Sequence, residues 1–180
     1  MSSLADKPEN SHKNNTDPIL DEPYQAPEIS GVDAMGSIIR DDSYKGKWII
    51  LYFYPKDLTP GCTQEAIDFQ EYFDEINSLG AVILGVSRDQ CSTHQKFMDK
   101  YGLRFNLVSD DSGDLCHRYG VWKEKFMYGK TYFGIERSTF LIHPKKLVVA
   151  QWSKVKVKNH AKEVVETLKK CQHSLISSKP

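Results

Sequence analysis

The sequence lacks an excess of either charge. Twenty-four Lys and Arg balance twenty-four Asp and Glu over 180 residues, a formal net charge of +0 at pH 7. With no long-range positive field to gather nucleic acid or an anionic membrane, the composition argues against a dedicated nucleic-acid binder. Long apolar runs are missing too: a membrane helix needs about 20 such residues, and the longest run here, Trp48 to Tyr54, is of strand length. Cysteine is sparse. Cys62, Cys91, Cys116 and Cys171 stand 29, 25 and 55 residues apart and form no C-x-x-C pair, which excludes a dense disulfide framework. Cys91 with His94 and Cys171 with His173 place soft ligands close together, but no second pair completes a four-ligand zinc site. The N-terminus, MSSLADKPENSHKNNTDP, carries no apolar stretch of a secretory signal and is too acidic for a transit peptide, so a reducing, cytoplasmic setting is expected.

What is present suits one domain: 39% of the residues are hydrophobic and 27% charged, enough apolar material for a core. Residues 1–22 are polar and proline-containing and are expected to form a disordered tail, followed by a domain over 23–175 and a short tail over 176–180. Between Tyr24 and Tyr44, Pro27, Gly31 and Gly36 allow only short extended pieces or a hairpin. WIILYFY (48–54) has the continuous β-branched and aromatic character of a strand buried on both faces. Ala66, Phe69, Phe73 and Ile76 recur at spacings of three and four and predict one helix from about Cys62 to Leu79, with Gly80 as its stop. A strand over 81–86, a polar helix over 93–101, a strand over 105–108 and a short helix over 112–119 follow. Strands at 138–142 and 147–152 flank HPKK as a hairpin, and Val164, Val165, Leu168 and Cys171 give a closing helix its inner face. Lys154, Lys156 and Lys158 alternate with valines as a solvated strand face. Alternating strands and helices with a late hairpin predict a thioredoxin-like three-layer α/β/α sandwich with a mixed central sheet.

In such folds the loops leaving the carboxyl ends of parallel strands build the site. Residues 55–61 form one of these loops and deliver Cys62 to the first turn of a helix, where unpaired N–H groups and the helix dipole favour a thiolate. Read alone, the position also fits a small buried cysteine near a helix cap. The segment YFYPKDLTPGCTQE resembles the active-site segment of the peroxiredoxins, with Pro55, Thr59 and Cys62 in a P-x-x-x-T-x-x-C pattern. Similarity to the Q-type, or bacterioferritin-comigratory-protein, branch extends through GVSRD (85–89), LVSDDSGDLCHRYGVW (107–122), MYGKTY (127–132), GIERSTFLIHP (134–144) and WSKVKVKNHAKEVVETL (152–168). The resemblance implies a thiol peroxidase acting on hydrogen peroxide or organic hydroperoxides, with no metal, haem or flavin. It implies that Cys62 is oxidised to sulfenic acid, that Thr59 hydrogen-bonds the peroxide, that Pro55 shields the sulfur, and that Arg137 holds thiolate and reacting oxygens. Glu65 is expected either to tether Arg137 or to stand exposed in the first turn of the helix.

Members of this branch commonly carry a second, resolving cysteine. The two positions used are Ile67 and Met98 here, so neither is present. Cys91, on the same sheet edge, is the geometric substitute, while Cys116 and Cys171 read as core residues. A one-cysteine cycle is favoured over a Cys62–Cys91 disulfide, with thioredoxin or a glutathione and glutaredoxin system as reductant and a monomer as the working form. A dithiol oxidoreductase fails because the residue three beyond Cys62 is Glu65. The non-enzymatic alternative is a redox sensor or holdase switched by Cys62 oxidation.

Overall fold

The computed structural model describes residues 17–177. Its centre is β4 (Trp48–Phe53), whose six residues are all buried, as its sequence predicts. β4 pairs in parallel with β5 (Ala81–Ser87), which pairs in parallel with β6 (Asn106–Ser109). On its other side β4 runs antiparallel to β9 (Ser138–His143), itself in a hairpin with β10 (Leu147–Trp152). β1 (Ile19–Gln25) closes one edge against β10, while β2 (Ser30–Asp33) pairs with β6 and carries the short β3 (Ile38–Arg40) at the other edge. The order β1-β10-β9-β4-β5-β6-β2-β3 makes one mixed eight-stranded sheet.

The pleat of β4 divides the core. Trp48, Ile50 and Tyr52 face a cluster that includes Ala66 and Phe69 of α1 (Pro60–Glu71), Ile76 of α2 (Phe73–Ser78), Phe97 of α3 (Cys91–Tyr101), and Val164, Val165 and Leu168 of α5 (His160–Ser177). Ile49, Leu51 and Phe53 face the opposite cluster, which the short α4 (Asp114–Arg118) covers with Leu115 and Cys116. The α/β/α layering is therefore present but uneven, with four helices on one face and one on the other.

Several boundaries differ from the sequence reading. β1 begins at Ile19, inside the segment expected as a tail, because Ile19 and Leu20 pack on the two cores and Ile19 pairs with Ala150; residues 1–16 lie outside the described residues. At the other end α5 runs to Ser177, past the domain boundary expected at 175. The single helix expected to Leu79 breaks at Tyr72, where the chain tightens and the Tyr72 N–H bonds Phe69 C=O (3.1 Å). β7 (Trp122–Met127) and β8 (Lys130–Ile135) form a separate hairpin that the sequence reading missed. It exposes Phe126, Met127, Tyr128 and Phe133 on both of its faces and at its turn, so it has no clean apolar alternation. Lys154, Lys156 and Lys158 are not on a strand, since β10 ends at Trp152 and Lys154 takes a left-handed φ of 50°.

Candidate active site

Cys62 is the third residue of α1. Pro60, whose fixed φ suits a first helical position, opens the helix, and Thr59 precedes it in extended conformation. The first intrahelical bond runs from Thr63 N–H to Thr59 C=O (2.8 Å), leaving the Gly61 and Cys62 amides free at the positive end of the helix. Cys62 is only 2% exposed.

The antiparallel register of β9 on β4 pairs Ser138 with Phe53 and so brings Arg137 beside the loop that leaves β4. Val155 N–H holds the Arg137 carbonyl (2.9 Å). Arg137 Nη2 donates to Cys62 Sγ at 3.4 Å while Nη1 donates to Glu65 Oε1 at 2.9 Å. Burial works against the guanidinium charge, but Glu65 and Cys62 outweigh it and hold Arg137 protonated. Gly61 makes room for this arrangement, because a Cβ there would stand 3.3 Å from Arg137 Nη2.

Glu65 is buried, 1% exposed, and tethers Arg137, which decides against an exposed first-turn residue. Burial pushes its carboxyl up to about 7 against the pull of Arg137. Its Oε2 and the buried Tyr52 hydroxyl have no hydrogen-bond partner among the described residues. Burial, followed by the negative charges of Glu65 and Cys62, keeps the Tyr52 phenol protonated. His160 accepts from or donates to Thr139 Oγ1 at 2.8 Å, and burial, then Arg137, lower its titration to about 4. It is therefore neutral beside the guanidinium at physiological pH.

Thr59 is placed differently from the simplest expectation. Its hydroxyl donates to the Lys56 carbonyl at 2.8 Å, so the proton of Oγ1 is committed and its lone pairs alone remain to accept. Pro55 and Lys56 form one wall of an open groove of about 450 Å³ completed by Arg88, Trp122, Lys125 and residues 132–135 of β8. Lys125 donates to the Ile135 carbonyl at 2.5 Å, and burial, then the nearby Arg137 charge, pull its titration down. A smaller hollow near Tyr44 and Phe105 lies at the opposite, amino-terminal end of β5, far from this chemistry.

Cys62, Glu65 and Arg137 are thus brought into contact. Cys91, half-buried at the start of α3, is free and not bonded to Cys62; Cys116 and Cys171 are buried as core residues. Lys125, His160 and Tyr52 escaped the sequence reading because no local spacing ties them to Cys62. Among the described residues no three His, Cys, Asp or Glu side chains gather to hold a metal ion, and no helix is long and apolar enough to cross a membrane.

A thiol under a helix amino terminus, held by a partly buried guanidinium on the edge of a thioredoxin-type sheet, defines the class of thiol peroxidases built on this fold. The AhpC/TSA family model matches residues 24–151. Peroxiredoxin Bcp of Bacillus subtilis is 48% identical over 145 residues, covering 81% of this chain and 92% of that one. The bacterioferritin comigratory protein of Xanthomonas campestris, solved as trapped intermediate and ligand complexes bearing on its alkyl peroxide reduction, is 47% identical with a TM-score of 0.75, covering 78% of this chain and 90% of that one. A cysteine-to-serine variant of Xylella fastidiosa peroxiredoxin Q superposes with a TM-score of 0.78 at 37% identity, over 84% and 99% of the two chains. The chain belongs to the AhpC/TSA family, in its peroxiredoxin Q, or Bcp, branch, and is a thiol-dependent peroxidase.

Proposed function

We propose that Cys62 is the peroxidatic thiol for hydrogen peroxide and organic hydroperoxides, on the strength of one observation above all: the Arg137 guanidinium spans Cys62 Sγ and Glu65 Oε1. The Cys62 thiolate attacks one peroxide oxygen in line. An S–O bond forms, the O–O bond breaks, and the departing alkoxide or hydroxide takes a proton to leave as alcohol or water, while sulfur loses two electrons to become sulfenic acid. Arg137, anchored by Glu65, stabilises first the thiolate and then the charge that grows on the departing oxygen. Thr59 Oγ1 accepts from the hydroperoxide O–H, and Pro55 keeps water from the sulfur.

The sulfenic acid condenses with an incoming thiol, releasing water, and a second thiol returns Cys62 to the reduced state with formation of a disulfide. The supplier is a thioredoxin-type dithiol or glutathione with glutaredoxin, and a one-cysteine cycle in a cytoplasmic monomer fits the free, unbonded Cys91. The test is stopped-flow oxidation by hydrogen peroxide together with intact mass. Cys62→Ser should abolish peroxide consumption, and Arg137→Ala and Thr59→Val should each slow sulfur oxidation by roughly 100-fold. Normal turnover in Cys62→Ser refutes the assignment. After one equivalent of peroxide, an added oxygen supports the one-cysteine cycle. A loss of two hydrogens that disappears in Cys91→Ser makes Cys91 the resolving thiol.

A further inference from the structure

The loop that carries Thr59 to Cys62 is fastened to the body of the protein by a buried polar cluster that takes no part in the chemistry described above. Asp57, at the middle of that loop and 4% exposed, reaches inward. Its Oδ2 meets His94 Nδ1 at 2.6 Å and its Oδ1 accepts from the Tyr54 hydroxyl at 2.5 Å. The Asp57 amide donates to Asp89 Oδ2 at 2.9 Å, an oxygen that also accepts from Ser87 Oγ at 2.6 Å. His94 projects from α3 and is fully buried, with Nε2 at 3.2 Å from the Val108 carbonyl of β6. The ring is thus held from both sides, by the Asp57 carboxyl at Nδ1 and the Val108 carbonyl at Nε2. Next to this anchor, Leu58 holds a left-handed φ of 63°, a conformation that a branched side chain resists. One residue thus fixes the loop from three sides while its neighbour opposes the fixed shape.

Cys62 has two incompatible needs. To attack peroxide it must stay beneath Arg137, and to be recycled by a bulky thiol it must become reachable, although it is 2% exposed in the closed site. We propose that Asp57 and His94 form a latch, and are positioning residues that set how often the Cys62 loop opens. This rests on the reading of Cys62 as peroxidatic thiol. The latch holds the loop closed for oxidation, and its release exposes the sulfenic acid to the reductant. A tighter latch also gives a second peroxide longer to oxidise sulfenic to sulfinic acid, consuming one further hydroperoxide and releasing one alcohol or water. Release rate and overoxidation are therefore opposed.

The experiment uses the full chain and two substitutions, Asp57→Asn, which keeps the volume but turns one accepting oxygen into a donor, and His94→Gln. Three quantities are read: Cys62 oxidation by hydrogen peroxide, reduction of oxidised Cys62 by dithiothreitol, and the fraction of Cys62 converted to sulfinic acid per turnover by peptide mass. We expect reduction to accelerate by at least tenfold, oxidation to slow, and the sulfinic fraction to fall, in either variant. Proportional loss of both rates together with melting temperature would reduce the pair to a structural role, and so would rates and sulfinic fraction within twofold of wild type; either result overturns the latch. Alkylation of reduced Cys62 by N-ethylmaleimide, followed on its own peptide, reads opening without any peroxide chemistry and should also accelerate at least tenfold. If wild-type Cys62 fails to react with peroxide, the peroxidase reading falls, whereas unchanged alkylation in both variants defeats the latch alone.

Discussion

At the scale of single residues, Glu65 ties the site to pH. Its carboxyl titrates near 4.5 in an unfolded chain and at about 7 in the folded one, because burial outweighs Arg137. A carboxyl raised in the folded state contributes stability that is fully present below pH 4.5 and is lost as pH rises through 7. At about 1.4 kcal/mol per unit the loss amounts to about 3 kcal/mol. Glu65→Gln removes the proton exchange, so the stability of wild type relative to this variant should fall between pH 5 and 8 by that order, as urea unfolding at a series of pH values would show. Gly61 makes a steric prediction. The Cβ of Gly61→Ala would press on a guanidinium already committed to two partners, so Cys62 oxidation should slow by about 10-fold or more while the fold is kept. Stopped-flow rates and melting temperature measured together check both halves.

At the scale of elements, β1 is the clearest case of a segment whose weight the sequence hides. Ile19 and Leu20 each pack on a core, and the Pro18 carbonyl accepts from Gln151 N–H at 2.9 Å. Deleting residues 1–20 should therefore lower the melting temperature by about 4–8 °C, from the loss of about 2 kcal/mol of burial and pairing. Calorimetry of that truncation against the full chain checks the outcome. β4, β5, β9 and β10 were legible because strands buried in a sheet centre write continuous or alternating apolar runs. Pro55, Thr59 and Cys62 could be nominated from the sequence because their spacing is local. β7 and β8 were not, since their exposed aromatics break the alternation that marks a half-buried strand. The partners that matter most, Arg137 with Glu65 and Asp57 with His94, stand 72 and 37 residues apart and meet only through sheet register and helix placement. Glu65 shows the limit: an acidic residue one turn beyond Cys62 reads equally as surface or as buried tether until Arg137 is seen above it.

At the scale of the whole molecule, the sheet separates the four thiols by environment. Cys116 lies on the inner side of α4, where burial and then Asp110 push its thiol far up, and Cys171 lies on the opposite face of the sheet, raised by burial and then Asp17. In the native protein a maleimide should label Cys91 first, and Cys116 and Cys171 should react only on unfolding, at least ~100-fold more slowly. Peptide mass spectrometry along a labelling time course gives the order directly.

The two borders of the eight-stranded sheet deserve a different question, namely what stops a neighbouring chain from adding a ninth strand. β1 shifts register between Ile19 and Tyr24, and the irregular stretch holds Asp21, Glu22 and Pro23, two charges and a residue with no N–H to offer. β3, at the far border, is three residues long. Neither border presents a straight row of unsatisfied amides long enough to template another molecule. A sheet rich in buried β-branched and aromatic residues, in a chain with no net charge to keep its copies apart, is thereby kept from growing sideways.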